Sequence, residues 1–175
     1  GAEAVRDVVY RRVMDWDVPP TEFHEFVSHF GVEENLESAG GNVRFASNNG
    51  FATSNPLVDP SEIYPYGTIN SNFIQKGPAD HGSVFDFAFG DLSPGQSRTF
   101  NIFYGAGANL SEAQNTIAIL RPDVWSFGQS TDYGSGTAND DSPTFLFAFG
   151  GVGGVEPGTD PDNPVLPFVP APGAV

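Results

Sequence analysis

At 175 residues the chain is sized for one domain with a sizeable core, and its 22 acidic against 7 basic residues give a formal charge of -15 that repels phosphate backbones and anionic lipid headgroups. Nucleic acid is therefore not an expected partner, and the absence of cysteine excludes disulfides, thiolate metal sites and a cysteine nucleophile. Sixteen Phe, 21 Gly and 15 Pro beside a single Met argue for strands and turns and against long helices.

The first stretch, GAEAVRDVVYRRVMDWDV, reads as a strand: Val5, Val8, Tyr10 and Val13 supply β-branched and aromatic positions, and Pro19-Pro20 ends it. In that strand Asp15 and Asp17 share one face and Trp16 takes the other. Two carboxylates on one face repel unless a cation, or Arg11 and Arg12, neutralises them, so a calcium site at Asp15 and Asp17 is an expectation of the sequence. TEFHEFVSHF follows and fits a strand with a bulge somewhat better than a helix. Its His24 and His29 are five apart, which separates the rings and rules against the zinc-protease pattern of two His four apart on one helical face.

NVRFAS and FATSN flank Asn48-Asn49-Gly50, a turn signal that predicts a hairpin. Residues 56–82 carry Pro, Gly and the pair Tyr64 and Tyr66 with little periodicity, and read as a long loop with a strand near 68–74. The stretch VFDFAFGDLSPGQSRTFNIFYG, residues 84–105, alternates Phe85, Phe87 and Phe89, turns over Asp91-Leu-Ser-Pro-Gly95, and alternates again at Phe100, Ile102 and Tyr104, which predicts a central aromatic hairpin. FLFAFG near residue 150 nearly repeats FDFAFG and offers a second aromatic strand to cover or extend the first.

Between them, Ser111 with Gln114 has capping-box spacing, Leu110, Ile117 and Leu120 form a stripe, and Pro122 stops the run, so one short helix is predicted here. Asp132, Asp140 and Asp141 in the following Gly-Ser loop are further candidate calcium ligands, without EF-hand spacing. Trp16, Trp125, Tyr64, Tyr66 and Tyr133 are candidate stacking or interface residues. No G-x-S-x-G elbow or phosphate-binding glycine loop is present, and no enzyme is expected. The chain opens at Gly1 and holds no apolar run of membrane-spanning length, so neither a signal peptide nor a membrane helix is expected within it. The domain is placed at residues 1–150, with 151–175 an extended Pro/Gly-rich tail.

Two pieces resemble known families. GAEAVRDVVYR and GDLSPGQSRTF resemble strand and turn segments of Ig-like repeats in bacterial surface proteins, and VPAPGAV, with Val169, Pro170, Pro172 and Gly173, resembles the PEP-CTERM sorting motif, here without its membrane helix and basic cluster. The resemblance implies an all-β, Ig-like antiparallel sandwich, exported and left at the bacterial cell surface or in an extracellular matrix, and non-enzymatic. The function expected is a structural subunit of a filament, layer or matrix, a homo-oligomer assembling with copies of itself through strand edges and the tail. The alternative is a calcium-dependent carbohydrate-binding or adhesion module whose partner is extracellular polysaccharide.

Overall fold

Alternating aromatic strands need a second apolar layer to bury against, and this chain supplies both layers itself. The computed structural model describes residues 3–58 and 60–153. Ten strands and a helix follow one another as β1 (Val5–Asp15), β2 (Glu25–Phe30), β3 (Val43–Ser47), β4 (Phe73–Ala79), β5 (Gly82–Leu92), β6 (Asn101–Gly107), α1 (Leu110–Leu120), β7 (Val124–Gln129), β8 (Thr131–Asp132), β9 (Thr137–Ala138) and β10 (Thr144–Gly150). They form a β-sandwich of a three-stranded sheet, β1-β5-β3, and a five-stranded sheet, β4-β2-β7-β10-β6, with β8 and β9 as a small separate hairpin. Every strand pairing is antiparallel.

The core lies between the two aromatic repeats. Phe85 and Phe87 of β5 meet Phe147 and Phe149 of β10 across the sandwich, with ring centroids 4.7 Å apart for Phe87 and Phe149 and 5.6 Å for Phe85 and Phe149. All four rings are fully buried. FLFAFG therefore covers FDFAFG, and because β10 sits inside its sheet, its other face is buried too. Leu146 and Ala148 pack with Phe127 against Ala113 and Ile117 of α1, which covers the outer face of the larger sheet.

Two hairpins predicted from the sequence are not formed. β5 and β6 lie in different sheets, so Phe100 meets Phe89 across the core, centroids 5.3 Å apart, instead of beside it. The turn at Pro94-Gly95 belongs to a connection, residues 93–100, that carries the chain from one sheet to the other. FATSN makes no strand after Asn48-Asn49-Gly50. Asn48 instead uses its side-chain amide as a substitute strand: Oδ1 accepts from the Ile63 N–H and Nδ2 donates to the Ile63 carbonyl. That pair pins the long loop, whose strand begins at Phe73 and not at Thr68.

The outer face of the smaller sheet is covered by the same loop, held by a buried ion pair. Arg11 of β1 grips Asp86 of β5 with two bonds of 2.6 Å, and its remaining donors go to the carbonyls of Thr53, Asn55 and Val58. All five guanidinium donors are thus used. TEFHEFVSHF gives the irregular strand β2, with register shifts against β4. The tail from residue 154 onward, including Val169, Pro170, Pro172 and Gly173, lies outside the described residues.

Candidate functional site

β1 ends at Asp15, opposite Gly82 at the start of β5. Gly82 is needed there, because a Cβ would stand 2.0 Å from the Met14 carbonyl oxygen and 2.8 Å from the Cα of Gly50. Asp80 lies in the short step from β4 to β5, where the chain leaves the larger sheet for the smaller one. Asp17 follows β1 by two residues. One carboxylate oxygen from each of Asp15, Asp17 and Asp80 can be chosen so that all lie within 4.8 Å of one another, and among the described residues this is the one such acidic group. Asp15 and Asp17 are exposed, while Asp80 is half-buried with its Oδ1 out of reach of solvent and without a hydrogen-bond partner.

Behind this group stands Glu25, the first residue of β2, paired with Ala79 of β4. It is fully buried; its Oε1 accepts from the His81 N–H at 3.2 Å, and its Oε2 has no partner. Burial pushes the Glu25 carboxyl up to about 7, and the charges of Asp80 and Asp17 act in the same direction. Burial also raises Asp15, assisted by the charges of Asp17 and Asp80. Neither arginine that the sequence offers as a neutralising partner comes to this group. Arg11 is committed to Asp86, and Arg12 Nε donates to the Tyr104 hydroxyl at 2.7 Å.

Beside the carboxylates, a groove of about 630 Å³ runs between the end of β1 and the edge of the larger sheet. Met14, Trp16 and Pro19 line one side, Tyr104 and Phe145 the other, and its surface is mainly apolar. Both strands beside it are edge strands: β1 pairs only with β5, and β6 only with β10.

The other residues singled out from the sequence do not gather at this place. Trp16 is only 6% exposed, and its Nε1 donates to Ser83 Oγ and Ser126 Oγ inside the core, so it forms the groove's inner wall and offers no open stacking face. Trp125 is half-buried and stacks on Phe30, centroids 5.2 Å apart. Tyr64 and Tyr66 contact each other on the long loop, and Tyr133 stands exposed on the β8–β9 hairpin. The oxygens of the second acidic loop are already engaged. Asp132 accepts from Gly134 N–H and Ser135 Oγ, both at 2.8 Å, which holds its carboxyl below the usual range, and Asp140 Oδ1 accepts from the side-chain amides of Gln75 and Gln129. The backbone N–H of Asp141 donates to Asn139 Oδ1, and its side chain joins no acidic group. His24 is exposed whereas His29 is fully buried, so they form no shared site.

Asp80 went unread in the sequence because 63 residues or more of chain separate it from Asp15 and Asp17, and Glu25 was read only beside His24 and His29. The available signal was an Asp-His-Gly step after Gly77-Pro78, where a strand must stop and turn. No family model, curated protein or solved structure matches the chain.

Proposed function

We propose that the chain is a non-enzymatic extracellular structural module that assembles with copies of itself, each copy's apolar C-terminal segment seated in the groove of the next. The observation that carries this reading is polarity. The groove lies at the end of the sandwich where β1 finishes and β10 begins, whereas Gly153, from which residues 154–175 continue, lies at the other end, where Val152 and Gly153 donate to Asp123 Oδ2. A donor at one end and an acceptor at the other make a head-to-tail contact, which builds a ring where the rotation between copies closes and a filament where it does not.

The chemistry of the two parts supports the pairing. Residues 165–175, VLPFVPAPGAV, carry no charged side chain and five apolar branched or aromatic ones set among prolines. Such a segment suits an aromatic-lined groove, since proline pre-sets an extended conformation and lowers the entropy lost on docking. Export to the bacterial surface rests on the resemblance of Val169, Pro170, Pro172 and Gly173 to a sorting motif. A calcium-dependent carbohydrate-binding module has weaker support, because Tyr64 and Tyr133, the exposed members of the candidate aromatic set, stand on separate loops.

The test is sedentation of the full chain by analytical ultracentrifugation over a range of concentrations, beside Phe168→Asp. Concentration-dependent growth of the particle that Phe168→Asp reverses supports the assembly. A monomer at every concentration, or growth unaffected by the substitution, rejects it.

A further inference from the structure

Among the described residues no ion pair reaches the acidic group at the end of β1, and two carboxylate oxygens are shielded from water without a partner: Asp80 Oδ1 within the group, and Oε2 of the neighbouring Glu25, whose carboxyl feels the charges of Asp80 and Asp17. A buried acceptor left unmatched is rare in folded proteins unless something else meets it. Calcium takes oxygen ligands at about 2.3–2.6 Å, so oxygens on opposite sides of one ion stand about 4.6–5.2 Å apart. The spread of at most 4.8 Å among one oxygen each from Asp15, Asp17 and Asp80 is within that span. Asp15 and Asp17 are exposed, which leaves the solvent side open for the waters that complete a calcium shell.

We propose that Asp15, Asp17 and Asp80 bind a calcium ion, in front of the fully buried Glu25. The ion ties together parts that the backbone leaves separate. Asp15 belongs to the smaller sheet, Glu25 to the larger, and Asp80 to the step between them. Bound calcium therefore fastens the end of β1, an edge strand, to the step through which the chain leaves the larger sheet. The site stands whether or not the neighbouring groove receives a tail, and its test uses a different readout.

The experiment is calorimetric titration of chelator-treated full chain with calcium chloride, together with terbium luminescence excited through Trp16, whose indole lies between two of the ligands in sequence. The expected result is one ion per chain with a dissociation constant of order 1 mM or below, the range of extracellular calcium modules. Asp15→Asn and Asp80→Asn abolish binding and the terbium signal. Asp132→Asn leaves both readouts unchanged. Asp15 is exposed, so its variant keeps the fold even if Asp80→Asn should not. Absence of binding at about 10 mM calcium, an order above that range, overturns the assignment, as does binding that persists in Asp15→Asn.

Discussion

The indole of Trp16 packs directly onto the backbone of Gly128: a Cβ placed on that glycine would stand 2.5 Å from the indole Cδ2. Trp16 follows β1 in the smaller sheet's chain, and Gly128 lies on β7 in the larger, so this contact is where the two layers meet at the groove end. Gly128→Ala must displace the ring, and with it the hydrogen bonds from Nε1 to Ser83 and Ser126. The expected loss is about 1–3 kcal/mol, the usual range for overpacking. Urea unfolding of the two proteins measures it, and an unchanged midpoint would show that the indole moves freely.

Removing Asp86 leaves Arg11 buried with three carbonyls and no counter-charge, since both side chains are 1% exposed. Asp86→Ala is expected to cost about 3–5 kcal/mol, because a buried ion that loses its partner keeps its desolvation penalty. The damage should appear first in the segment 53–58, whose carbonyls Arg11 holds. Hydrogen exchange there, compared with β10, separates a local release from a general loss of stability.

His29 sets a pH dependence. Its ring is fully buried between Phe73 and Phe85, and burial, with a smaller contribution from His81, pushes its pKa down to about 3. The unfolded chain takes up that proton near pH 6.5, so between these values the unfolded state binds more protons and stability falls as pH falls. The slope for one such group is about 1.4 kcal/mol per pH unit. His81, lowered to about 4 by burial, acts in the same direction, and Glu25, raised to about 7, acts in the opposite one. His29→Leu should therefore flatten the pH profile of unfolding free energy between pH 6 and pH 4 relative to the wild type, and parallel profiles would contradict the assignment.

The elements that could be read from the sequence are those fixed by local chemistry. Alternation located β5 and β6, β-branched and aromatic residues located β1, the near-repeat of FDFAFG located β10, and the stripe of Leu110, Ile117 and Leu120 located α1. Its cap was misread by two residues: Asn109 Oδ1 accepts from the Glu112 N–H, and the Glu112 carboxylate accepts from the Ala108 N–H. The same polar-x-x-acidic or amide spacing occurs at Asn109–Glu112 and Ser111–Gln114, and local sequence does not choose between them. Partners were harder to read than strands. A strand pattern says which face is apolar but not which strand lies alongside, so β5 and β6 were joined as neighbours although burial of their phenylalanines against each other is better served across the core. Trp16 shows the reverse error. Alternation had already placed it opposite Asp15 and Asp17, and with those two in water the indole had to turn inward.

The path of β1 has a mechanical meaning. Val5 lies beside Leu92, and Gly150 beside Asn101, so the chain enters and leaves the described sandwich at one end, with the 93–100 connection between those positions. A load pulling these two points apart meets β1 first where register shifts at Val5, Val8 and Val9 interrupt the ladder with β5 and the Arg6–Asp91 and Arg44–Asp7 ion pairs supplement it. The strand then yields like a zipper, one pair at a time, instead of resisting as a whole by shear. The rupture travels past Arg11 and reaches Asp15 last. Whatever holds that far end decides how much of the module can pay out under tension before the core of phenylalanines is exposed.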